Sequence, residues 1–116
     1  MERPNFEIEL LPEMTDFLNS LNEKARGKIY YNMKKSQFIY DQELFKKLNE
    51  FIWEFRTLYN GKYYRLLSFW DKSEGTYVVA THGFIKTTAK TPSKEIAKAE
   101  EIRTQYLENK ARTKRK

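Results

Sequence analysis

"WEFRTLYNGKYYRLLSFW", residues 53–70, decides the fold. Its centre, Asn60-Gly61, is the dipeptide of a two-residue type I′ turn, in which both central residues need positive φ. With that turn, Tyr59 stands opposite Lys62, and counting outward sets Arg56 opposite Arg65. Like charges directly opposite across a strand pair destabilise it. Alternation then sorts the other side chains. Phe51, Trp53, Phe55 and Tyr59 share a face with Tyr64, Leu66 and Trp70, an aromatic wall suited to a helix-covered core. The opposite face takes Ile52, Glu54, Arg56, Leu58, Tyr63, Arg65, Leu67 and Phe69, with Glu54 diagonal to Arg65. Two accounts of the facing guanidiniums stand open. In one, Glu54 neutralises them in a surface cluster that contributes about 0–1 kcal/mol. In the other, one carboxylate cannot cancel two guanidiniums, and the planar arginine forks await a phosphate.

Working outward, "FEIEL", residues 6–10, alternates apolar and acidic side chains and predicts a strand. Pro12 suits the first position of a helix, and Met14, Phe17, Leu18 and Leu21 follow at helical spacing. Gly27 interrupts a second helix that turns Ala25, Ile29 and Met33 inward, giving an antiparallel helix pair, with a loop over 36–41. "QELFKKLNE", residues 42–50, predicts a short helix with Leu44 and Leu48 as its apolar contacts. Three strands are expected, at about 51–59, 62–70 and 76–84, the last two joined by the polar turn "DKSEG". A basic loop, 86–92, leads to a last helix with Thr91 as cap and Pro92 as its first residue, carrying Ile96, Ala99, Ile102 and Tyr106. The order predicts an α+β sandwich, with helices on one face of an antiparallel meander and the first strand at one edge.

Composition bounds the partners. The chain has 116 residues, enough for one domain with a modest core. Its net charge of +6 suits an anionic partner or simple solubility. There is no cysteine, so no disulfide framework and no thiolate metal site, as expected in a reducing cytoplasm. No apolar run approaches the length of a membrane span, and no signal peptide opens the chain. The cationic end "NKARTKRK" reads as a solvated tail or as nonspecific attraction to phosphate.

The segments "IWEFR", "YYRLLSF", "ATHGFIKTTAKTP" and "SKEIAKAEEIRTQYLENK" together resemble the RelE/ParE toxin superfamily, in particular its phage-derived, HigB-like branch. The resemblance implies a RelE-like α+β fold: an antiparallel sheet of about four strands, an N-terminal helical pair on one face and a C-terminal helix. One toxin domain is expected over residues 1–109, with a basic tail over 110–116. The implied function is that of a type II toxin that cuts mRNA on the ribosome. Scission is metal-independent and needs no cofactor: the 2′-hydroxyl attacks the adjacent phosphate and leaves a 2′,3′-cyclic phosphate. The implied partners are the ribosome, mRNA and a cognate antitoxin of helix-turn-helix type, with no membrane.

By the same resemblance, Arg65 lies against the scissile phosphate, Arg56 is a second cation on the neighbouring strand, and Lys86 is the basic residue just beyond the last strand. Lys90 and Lys62 contact the RNA backbone. His82 matches a histidine common in this branch, and an ordinary pKa near 6.5 suits acid or base work. Glu54 orients the arginines, and either Glu54 or Glu43 takes a proton. The five-residue turn leaves the face of His82 open. A late catalytic aromatic or histidine, which many RelE-type enzymes have, is missing, so the proton donor is unassigned. Two other readings stand beside the ribonuclease: a ParE-like gyrase inhibitor, which needs no such cluster of charge, and an inactive basic binding module.

Overall fold

The computed structural model describes residues 2–114. In chain order the elements are β1 (Glu7–Leu10), α1 (Pro12–Asn19), α2 (Glu23–Phe38), β2 (Phe45–Lys47), β3 (Ile52–Tyr59), β4 (Lys62–Asp71), β5 (Tyr77–Lys86) and α3 (Ser93–Lys114). The five strands lie in the order β1-β5-β4-β3-β2. The β3–β4 hairpin turns at Asn60 and Gly61 with φ of 53° and 76°, as a type I′ turn requires. Its register sets Tyr59 opposite Lys62 and Arg56 opposite Arg65, as the turn predicts.

Three features differ from the expectation. The sheet is mixed and has five strands, because β1 runs parallel to β5, from Glu7 beside Tyr77 to Leu10 beside Ala80. A parallel pair needs a long crossover, and everything from α1 to β4 supplies it. Residues 42–50 do not form a helix. Phe45–Lys47 instead pair antiparallel with β3 as an edge strand. The Phe45 ring stacks 4.4 Å from Phe55, 4.9 Å from Trp53 and 5.1 Å from Phe6. A helix of that length holding only two leucines is marginal on its own, so aromatic packing and strand pairing override local propensity. The third difference is that helices cover both faces of the sheet.

The helical pair lies on the aromatic face. Met14 and Leu18 of α1 and Ala25, Ile29 and Met33 of α2 pack against Phe55, Tyr64, Leu66, Val78 and Ala80. Asn22 caps α2 by accepting from the Ala25 amide at 2.9 Å. This helix runs on to Phe38, well into the expected loop. Phe17 of α1 lies directly over Gly83 of β5, where any Cβ would collide with the ring.

On the other face, α3 covers a second core in which Ala99 meets Ile52, Leu67, Phe69 and Val79. The helix starts one residue later than expected: Ser93 is its first residue and Pro92, not Thr91, is the cap, its carbonyl accepting from the amides of Glu95 and Ile96. The helix continues through the basic end to Lys114, and Arg115 and Lys116 lie outside the described residues. Its last turns are tied down at the end of β4. Buried Asp71 accepts from Tyr106 Oη at 2.9 Å, Lys110 Nζ at 2.6 Å and Ser73 Oγ at 2.6 Å. Burial alone would raise the Asp71 pKa, but the bonds from Lys110, Ser73 and Tyr106 outweigh it and hold the group at about 2. No helix among the described residues is long and apolar enough to cross a membrane.

Candidate functional site

The charged face of the hairpin survives intact under α3. Arg56, Arg65 and Glu54 lie together, with Glu54 Oε2 3.4 Å from Arg56 Nε and Glu54 Oε1 3.6 Å from Arg65 Nε. Neither contact is aligned as a hydrogen bond, and both Nε atoms are buried without an acceptor among the described residues. One terminal nitrogen of each is held by backbone: Arg56 Nη1 donates to the Gln42 carbonyl and Arg65 Nη2 to the Ala89 carbonyl, each at 3.2 Å. Thr91, expected as a helix cap, donates its hydroxyl to Glu54 at 2.5 Å.

The cluster is not an open surface patch. Arg65 is 2% exposed and Glu54 is 3% exposed, whereas Arg56 keeps an exposed edge. Segment 87–91 lies over Arg65 through Ala89 and over Glu54 through Thr91. Burial pulls the Arg65 pKa down, and the Arg56 charge adds to this, while Glu54 pushes it back up. The expected vacant cradle is therefore closed, with one carboxylate shared by two guanidiniums. Removing Arg65 would do more than relieve a repulsion, because it would strip Glu54 of a buried partner.

The other predicted residues scatter around this centre. Lys86, half-buried, stands opposite Tyr63 at the end of β5, one strand from Arg65 and two from Arg56. Lys62 is exposed at the hairpin tip, and Lys90 is exposed on the covering segment. Glu43 is exposed in the turn before β2, and its charge reaches Arg65 without contact.

His82 does not line an accessible site. A bulge between Leu67 and Ser68 on the β4–β5 ladder aims it at α3, on the same face as the arginines. It is 2% exposed. Its Nε2 lies 3.2 Å from Glu95 Oε1 and its Nδ1 lies 3.0 Å from Thr81 Oγ1. A carboxylate only accepts, so Nε2 carries the proton, while the Thr81 hydroxyl has one hydrogen for both Nδ1 and the Leu67 carbonyl 3.2 Å away. Burial depresses the His82 pKa, and the hydrogen bond to Glu95 only partly opposes this, so the ring is neutral at physiological pH.

Three participants escaped the sequence reading. Tyr63 lies under the Arg65 guanidinium, its ring centroid 5.1 Å from Cζ. It was visible on the charged face, but nothing in the spacing marked it as a stacking partner. Thr91 and Glu95 join the cluster only through the return of α3 across the sheet, which no local pattern announces.

The chain matches the family model described as "Phage derived protein Gp49-like (DUF891)" over residues 16–104. No curated protein matches it. Among solved structures it is similar to the toxin–antitoxin complex RelBE2 from Mycobacterium tuberculosis, with a TM-score of 0.53 and 16% identity over 72% of this chain and 100% of that chain. At that identity the likeness carries the fold. The chain thus belongs to the phage-derived Gp49-like family and has a RelE-like fold.

Proposed function

We propose that this protein is the toxin of a type II toxin–antitoxin pair and that it cleaves mRNA on the ribosome, neutralised by a cognate antitoxin. One observation carries the reading: two arginines face each other across β3 and β4, and both Nε donors remain unused among the described residues. A phosphate takes up such donors bidentately. When the 2′-hydroxyl attacks the adjacent phosphate, negative charge grows on the phosphorane, and fixed cations stabilise it more than the ground state; the P–O5′ bond then breaks and the departing 5′-oxygen takes a proton from water. Arg65 meets the phosphate once segment 87–91 lifts and the Ala89 carbonyl gives up its N–H. Arg56 approaches from its exposed edge, and Lys86 adds charge from β5, on the far side of Arg65. Glu54 is committed to both arginines and Thr91 and so orients them, which leaves exposed Glu43 to accept the 2′-hydroxyl proton. His82 acts as a positioning residue that holds the start of α3 through Glu95.

The test is to add the purified protein to translating ribosomes and map the mRNA ends. Cleavage that leaves 2′,3′-cyclic phosphate, and that Arg56→Ala reduces at least tenfold without loss of fold, is the expected result. Growth arrest with DNA-damage induction and intact messages would replace this reading with gyrase inhibition. The 2% exposure of Arg65 favours a second reading, in which the cluster only stiffens a binding module. Under that reading Arg56→Ala leaves any toxicity untouched.

A further inference from the structure

At the end of the sheet remote from the hairpin turn lies a cleft of about 520 Å³, between α3 and the ends of β2, β3 and β4. That volume is in the range of small-molecule sites. Trp53 and Trp70, the only two tryptophans of the chain, form one wall, with ring centroids 6.0 Å apart and planes at 76°. Phe51 forms another, and the Arg103 guanidinium stacks on its ring at 3.8 Å. Lys47 and Lys72, both exposed, stand on the rim. The acids do not cancel this charge. Of the two acids that line the cleft, Asp71 is taken up by Lys110, Tyr106 and Ser73, which leaves Glu50 against the cations Lys47, Lys72 and Arg103, while Glu74 and Glu100 beside the cleft are held by Lys110 and Asn49.

Aromatic faces interleaved with cations suit a base and its phosphate, and suit an acidic peptide less well, since a peptide offers the rings nothing to stack. We infer that this cleft binds one nucleotide unit of single-stranded RNA, the base against the aromatic wall and the phosphate on Lys47, Lys72 and Arg103. The cleft lies about 10–17 Å along the strands from the Arg56–Arg65 pair, at ~3.3 Å per residue, and is separate from it. The choice of RNA rests on the proposed cleavage of mRNA, but the binding itself needs no catalysis to be tested.

Both tryptophans line the cleft and also a second cavity beside Phe6 and Phe45, so intrinsic fluorescence reads binding and the lysine variants assign it to this cleft. Adenosine 5′-monophosphate and a short single-stranded oligoadenylate are titrated into the full chain, into Lys47→Glu/Lys72→Glu and into Arg56→Ala, with circular dichroism to verify folding. The expected result is saturable quenching by both probes, weakened at least tenfold in the double lysine variant and retained in Arg56→Ala. Absence of saturable quenching overturns the inference, as does equal affinity in the double lysine variant or loss of quenching in Arg56→Ala. Competition by a polyglutamate peptide as effective as that by oligoadenylate also overturns it, assigning the cleft to a protein partner.

Discussion

Replacing Glu54 by glutamine keeps its shape and removes the one negative charge between two guanidiniums. The carboxylate is 3% exposed and lies 3.4 and 3.6 Å from the arginine Nε atoms. At an effective dielectric of about 20, each contact corresponds to roughly 5 kcal/mol of attraction before desolvation is subtracted. Desolvation offsets most of this, so the intact cluster adds little net stability, but breaking it leaves buried positive charge without compensation, at a cost of about 3–5 kcal/mol. A domain of this kind is stable by only ~5–15 kcal/mol, so Glu54→Gln removes a large fraction of the total. The double variant Glu54→Gln/Arg65→Met deletes the stranded charge and should recover at least ~2 kcal/mol, as buried ion pairs replaced by apolar groups do. Urea unfolding of the wild type, both single variants and the double variant closes the cycle. A Glu54→Gln cost below about 1 kcal/mol, the value of an exposed pair, would refute the claim that the cluster is sealed. So would a double variant no more stable than Glu54→Gln.

Three further outcomes are expected. The His82 pKa is depressed in the folded state, so the unfolded chain takes up the proton first as pH falls; stability is complete above about 6.5 and declines below it, and urea midpoints from pH 5 to 8 should lose that slope in His82→Gln. Gly83→Ala forces a methyl group into the Phe17 ring and should cost about 1–3 kcal/mol by thermal unfolding, with Phe17→Leu/Gly83→Ala recovering part of the loss. Tyr106→Phe removes a hydrogen bond to buried Asp71 and should cost about 1–2 kcal/mol near neutral pH. The Asp71 pKa, held at about 2 when folded, makes its contribution complete above the ordinary 3.8 and lost as pH falls toward 2, so the Tyr106→Phe penalty should shrink in urea unfolding at pH 2.

The β3–β4 face was legible because Asn60-Gly61 fixes a register, and a fixed register fixes every side chain's face. Pro12 likewise marked the start of α1, and the spacing of Ala25, Ile29 and Met33 marked the inward side of α2. The Phe45–Lys47 strand was not legible, because its flanking leucines fall at helical spacing while its reason for being extended is packing on Phe55 and Trp53 of the next strand and on Phe6, which is remote in the sequence. The parallel β1–β5 pair carries no local signal either. Of the candidate site, the facing of Arg56, Arg65 and Glu54 was readable, but their burial was not, since it depends on where segment 87–91 and α3 come to rest. The face of His82 was hidden by a turn of uncertain length followed by a bulge, each of which shifts alternation.

The parallel pairing of β1 with β5 also governs how the chain comes into being. Glu7 is synthesised long before its partner Tyr77, so β1 waits without a neighbour until β5 follows. Pairings this distant in sequence slow folding. Ala89, Thr91 and Glu95, which close over the arginines and His82, emerge later still. The two guanidiniums are therefore synthesised before the segment that covers them.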